Sequence, residues 1–175
     1  MYFESFPIIS YDSVGQGNRK FVTNLLRRVG VRAKVKSNVA LFDTYDVRAG
    51  ETPEELADKL YDDPELHWIV LLMNDITDRY HQWPLTENQF LAHINDKYDN
   101  VDAIHHYEIS QTSGNTTLKI DIGTDNTDYP TATAITNYEY ERDAEDAKGK
   151  IRLLDPRYVG AFIEEFEQLM GEDFS

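Results

Sequence analysis

Asp46-Val47-Arg48-Ala49-Gly50-Glu51-Thr52-Pro53-Glu54-Glu55-Leu56-Ala57 is the stretch on which the reading of this chain turns. It ends a strand, turns at Gly50 and opens a helix. Thr52 is an N-cap residue, Pro53 stands at the first helical position where its missing N–H costs nothing, and Glu55 completes a capping box. Leu56, Ala57, Leu60 and Tyr61 then form one apolar stripe at helical spacing. Asp62-Asp63-Pro64 stops this helix and starts another, because Pro inside a helix costs about 3 kcal/mol. The second helix, roughly 64–73, is apolar nearly all round and is expected to be central, with Leu56, Leu60, Trp68 and Leu72 as core.

Outward from this block the patterns weaken. Thr86 with Gln89 opens a third helix carrying Phe90, Leu91, Ile94 and Tyr98. Ile104–Ile109 and Thr117–Ile122 read as strands joined at Ser113-Gly114-Asn115. Residues 123–137, rich in Thr, Asp and Asn, read as a long loop, and 138–148 as a polar, highly charged stretch. Ile151–Leu154 is a short strand, and Asp155-Pro156 caps a final helix striped with Val159, Phe162, Ile163, Phe166, Leu169 and Met170. On the N-terminal side, Val31–Tyr45 alternates and reads as strand, and the first twenty residues as an extended arm. The class is α+β, divided as 1–42, an extended basic arm; 43–100, the helical unit with its following helix; 101–154, a variable β region; and 155–175, the C-terminal helix.

Composition narrows the function. Of 175 residues none is Cys, which excludes disulfide scaffolds, thiolate zinc sites and cysteine nucleophiles. Met1-Tyr2-Phe3-Glu4 has no basic leader segment, and the longest apolar run, Trp68–Met73, is too short to cross a bilayer. No HExxH, GxSxG, P-loop or GxGxxG is present. The histidines, His67, His81, His93, His105 and His106, have no ligand spacing. In a regular strand His105 and His106 point to opposite faces. Acidic pairs such as Glu54-Glu55 and Glu164-Glu165 follow from composition, so no catalytic residue, metal or cofactor is expected. The net charge of −15 is uneven. Arg19, Lys20, Arg27, Arg28, Arg32, Lys34 and Lys36 face only Glu4 and Asp12 in the first 42 residues, a balance of +5, leaving −20 for the rest. The acidic remainder repels phosphates, so the basic stretch points to a protein partner rather than nucleic acid. Tyr2, Phe3, Phe6, Arg19, Arg27, Arg28 and Trp83 are the candidate partner contacts.

The segment from Tyr45 to Asn74 resembles a LysM module, a βααβ unit. The wider pattern, Glu54-Glu55-Leu56-Ala57, Tyr61-Asp62-Asp63-Pro64-Glu65-Leu66, Trp68 to Asp75 and the downstream Trp83, resembles the baseplate wedge protein 53 family of contractile-tailed bacteriophages. It continues in Lys148-Gly149-Lys150-Ile151-Arg152-Leu153-Leu154 and the last helix. The resemblance implies a virion component that clamps neighbouring wedge subunits together, with other wedge proteins as partners and no enzymatic activity. The alternative is LysM at face value: a carbohydrate-binding module for peptidoglycan or chitin-type glycans.

Overall fold

The computed structural model describes residues 2–114 and 116–171. Its elements in chain order are a 3-10 turn at Tyr2–Ser5, β1 (Ile8–Tyr11), β2 (Lys20–Thr23), α1 (Ala33–Lys36), a 3-10 turn at Val39–Leu41 and β3 (Phe42–Asp46). They continue with α2 (Pro53–Tyr61), a 3-10 turn at Pro64–Leu66, α3 (His67–Met73), α4 (Arg79–Gln82), α5 (Glu87–Lys97) and β4 (Ile104–Ser110). Last come β5 (Lys119–Asp121), β6 (Thr133–Thr136), α6 (Asn137–Gly149), β7 (Lys150–Leu154) and α7 (Pro156–Gly171). The fold is α+β. The chain forms two compact units, one from residues 1–46, 51–82 and 151–175, the other from 47–50 and 83–150.

In the first unit, the local chemistry around Thr52 is as its residue types dictate. Its hydroxyl accepts from Glu55 N–H, and the Glu55 carboxylate accepts from Thr52 N–H at 2.8 Å. Asp62 ends α2 in the left-handed region at φ 56°, and the Asp63 carboxylate accepts from Glu65 N–H as the next turn starts. The two helices are therefore separate, broken at Pro64. Leu56, Ala57, Ile69 and Val70 have no exposed surface. Asn74 fastens the end of α3 to β7: its side chain donates to the carbonyls of Val70 and Arg152 and accepts from Arg152 N–H.

β3 pairs with β7. Asp155 N–H donates to Leu41 O at one end and Val47 N–H to Gly149 O at the other, so the strands run antiparallel. The order strand, helix, helix is thus closed by a strand that arrives more than seventy residues later. One core cluster gathers Phe42, Ile69, Met73, Leu154 and Val159; another gathers Phe6, Phe166 and Met170. Trp68 packs on both.

The second unit holds a three-stranded antiparallel sheet, β5-β4-β6, and the helices α5 and α6. Each helix begins at a capping box, Thr86 with Gln89 and Thr136 with Glu139. Phe90 and Ile94 of α5 are buried, and the Arg142 guanidinium of α6 lies 4.0 Å from the centre of the Phe90 ring while pairing with Glu87. Buried Glu145 accepts from Leu85 N–H at 2.6 Å and from Lys148 at 2.8 Å.

Four local expectations change. The first stretch is extended but folds back as the β1–β2 hairpin. Val31–Tyr45 is strand only from Phe42, because β3 has one partner and that partner ends at Leu154; Ala33–Lys36 and Val39–Leu41 coil instead. β6 lies within the expected loop, and the charged stretch at 138–148 is a helix. Thr136 and Glu139, a capping pair on either side of Tyr138, are the signal that announces α6.

Candidate assembly surface

The most open apolar feature of the first unit is the β1–β2 ribbon. Pro7 leads into Ile8 and Ile9, and the connecting loop is organised by Asp12, whose carboxylate accepts from the N–H groups of Val14, Gly15 and Gly17. These bonds, that of Gly17 foremost, hold the Asp12 carboxyl below its usual range. Gly15 and Gly17 turn the chain at φ 73° and 85°, which side-chain-bearing residues rarely adopt. The strands run antiparallel with Ile8 opposite Thr23, Ile9 opposite Val22, Ser10 opposite Phe21 and Tyr11 opposite Lys20. All eight residues are exposed. Alternation places Ile8, Ser10, Phe21 and Thr23 on one face, and Ile8 and Phe21 are 70% and 84% exposed there. Leu25 and Leu26, directly after, are also exposed.

The ribbon is rooted in the core behind it. Phe6 is buried against Phe166 and Met170. Tyr2 is half-buried, its ring 5.5 Å from that of Phe166 and 5.2 Å from Trp68. Of the candidate partner contacts, Tyr2 and Phe6 therefore spend their rings inside the chain, as does Trp83, which is 6% exposed in the second unit. Arg27 is half-buried and donates to Leu169 O at 2.7 Å. Phe3, Arg19 and Arg28 are exposed. Among the described residues, Arg19, Lys20 and Arg28 have no acidic partner, whereas Lys36 pairs with Asp75.

Of the expected helical core, Leu56 is fully buried, while Leu60, Trp68 and Leu72 are half-buried. In α3 the fully enclosed positions are Ile69, Val70 and Met73 instead. A helix apolar all round conceals which side is innermost, and here the β3–β7 pair and α7 decide it. Tyr61 donates its hydroxyl to Leu154 O at 3.0 Å; burial raises its pKa to about 12, partly offset by that bond.

The second unit presents two titratable clusters. His105 and His106 meet rather than diverge: their Nδ1 atoms are 2.9 Å apart. A register shift in β4 between Ile104 and His106 explains it, since a bulge breaks strict alternation. His105 stacks on Tyr140 at 3.9 Å, and His106 Nε2 lies 3.3 Å from Glu108. In the other cluster, burial pushes the Glu141 carboxyl up but hydrogen bonds from Lys97 and Tyr98 outweigh it and hold it low. Among the described residues no group of three His, Asp or Glu is placed to hold a metal. No helix of the described residues is long and apolar enough to cross a membrane.

The chain is 36% identical to the baseplate wedge protein gp53 of Enterobacteria phage T4 over 58 residues, which is 33% of this chain and 30% of that protein. The pattern of the family described as base plate wedge protein 53 matches residues 1–167, so it takes in the ribbon, both units and most of α7. A match of that extent means that the chain belongs to the base plate wedge protein 53 family, the structural wedge subunits of the phage tail baseplate.

Proposed function

We propose that this subunit clamps neighbouring wedge subunits of a contractile tail together, and that the β1–β2 ribbon with the basic segment behind it is the part that reaches the neighbour. The observation that carries the reading is the ribbon itself. Two strands alone are at best marginally stable in water, yet this pair leaves Ile8 and Phe21 open, and Leu25 and Leu26 directly after it are open too. Cover from another subunit removes that apolar surface from water and orders the ribbon at the same time. Arg19, Lys20 and Arg28, without an acidic partner among the described residues, suit an acidic neighbour. The strand-helix-helix order of β3, α2 and α3, closed by β7, supports a LysM-like unit that serves as scaffold. The carbohydrate-binding alternative rests on that order alone and predicts saturable binding of chitin oligomers by calorimetry.

The test replaces residues 8–23 with a Gly/Ser linker. Tyr2 and Phe6 stay, because removing them would strip the core around Phe166 and confuse a docking defect with unfolding. The expected result is a folded protein, with an unchanged thermal midpoint, that fails to join baseplate wedges. Normal incorporation into infectious particles would sink the reading.

A further inference from the structure

We propose that the free edge of β1 takes an extended, acidic segment of another protein subunit as an added strand. The inference rests on the clamp reading above and goes further, naming the mode of contact and the chemistry of what is held. Asn24 N–H donates to Pro7 O at 2.8 Å. Opposed residues in an antiparallel pair alternate between bonded and non-bonded, so Ile9 with Val22 and Tyr11 with Lys20 are the bonded pairs. The N–H and C=O groups of Ile8 and Ser10 then point out of the β1 edge, and those of Phe21 and Thr23 out of the β2 edge. The two edges are not equivalent. On β2, the Thr23 carbonyl already accepts from Leu25 N–H at 3.1 Å. On β1, both donors and both acceptors of Ile8 and Ser10 are uncommitted among the described residues.

That alternation selects the class of partner. A protein strand supplies an acceptor for each outward N–H and a donor for each outward C=O. A phosphodiester backbone supplies acceptors only and would leave the carbonyls of Ile8 and Ser10 unmatched. Side chains of an added strand would lie beside Ile8 and cover part of the exposed apolar surface of the ribbon. Charge sets the rest. Arg19 and Lys20 stand at the tip end without acidic partners among the described residues, while the carboxylate of the ribbon loop, Asp12, is engaged by Val14, Gly15 and Gly17. An incoming strand with Asp or Glu near the tip completes those cations.

The test uses the full chain in assembling baseplates. Ser10→Pro removes one outward N–H and leaves the bonds to β2 intact; Ser10→Ala keeps the N–H and removes only the hydroxyl. Incorporation should fall about tenfold for Ser10→Pro and match wild type for Ser10→Ala. In parallel, a photo-cross-linking residue at Ser10 in purified particles should capture a peptide of another subunit rich in Asp and Glu, identified by mass spectrometry. That arm decides alone should Ser10→Pro prove misfolded. Cross-linking to a basic segment, to nucleic acid or to this same chain overturns the proposal. So does normal incorporation of folded Ser10→Pro. When that happens while the Gly/Ser replacement of 8–23 still fails to assemble, the edge is wrong but the clamp stands; when both assemble, both readings fall.

Discussion

The helix pair α2–α3 and the ribbon β1–β2 are both rich in large apolar residues, and they use them in opposite ways. In the helices Leu56, Ile69 and Val70 are sealed. In the ribbon every strand residue is open. Burial on this scale stabilises by roughly 1.5–3 kcal/mol per side chain, so the helices hold the chain together and the ribbon's side chains contribute little while the subunit is alone. The difference teaches that apolar content does not locate the core. What locates it is whether other elements arrive to cover the face: β7 and α7 do so for α3, and among the described residues of the first unit no element covers Ile8 or Phe21.

The hardest blow to that contrast comes from the helix side. Ile69→Ala should destabilise the isolated protein by about 2–5 kcal/mol, read from chemical denaturation, because the site is closed on all sides and cannot collapse cheaply. A loss below about 1 kcal/mol would mean that α3 is not the centre of the first unit. Less is expected at a helix end. Thr136→Ala removes the cap of α6 and should cost about 1 kcal/mol. It also removes the lesser of the two bonds that hold the Glu139 carboxyl below its usual range, that of the hydroxyl, and keeps the larger, that of Thr136 N–H. A depressed carboxylate contributes stability above its unfolded pKa that is lost as pH falls, so the acid-induced drop below pH 4.5 should be shallower in the variant.

The helical block was legible because its signals are local. Thr52, Pro53, Glu55 and the Asp62-Asp63-Pro64 break fix two helices with no help from distant residues. Which face of α3 is innermost was not legible, because that depends on β7 and α7, far away in sequence. The same holds for Phe6 and Tyr2: an arm so near the terminus reads as free, and only the arrival of Phe166 and Met170 gives it a place to root. The β4 bulge that unites His105 with His106 has no composition signature in Ile104-His105-His106-Tyr107. The exposed cations Arg19 and Arg28 were legible from charge alone, since a basic segment in an acidic chain stands out without any geometry.

A smaller effect separates a side chain at the rim of the core from both extremes. Tyr61 is half-buried with its hydroxyl bonded to Leu154 O, and its pKa is raised to about 12 from 10.0. For a raised pKa the stabilisation is present below the unfolded value and lost as pH rises through the folded one. Thermal stability should therefore decline between pH 10 and 12, and Tyr61→Phe should flatten that decline. An unchanged alkaline profile would place the Tyr61 hydroxyl in water.

The smallest effect on the subunit alone belongs to Phe21, and it bears most closely on the contrast. Phe21 is among the largest apolar side chains of the ribbon and is 84% exposed. Phe21→Ser should shift the stability of the isolated protein by no more than about 0.5 kcal/mol, the range of surface changes that touch nothing structural. The bonds of β2 to β1 are backbone bonds and survive the change. A loss of several kcal/mol, the mark of a core aromatic, would show that the ribbon closes over its own chain in solution and is not held open. A near-zero shift with lost incorporation into baseplates would make Phe21 a residue selected for a neighbour's surface. The apolar side chains of this chain would then divide cleanly into those that the subunit covers itself and those that the assembly covers.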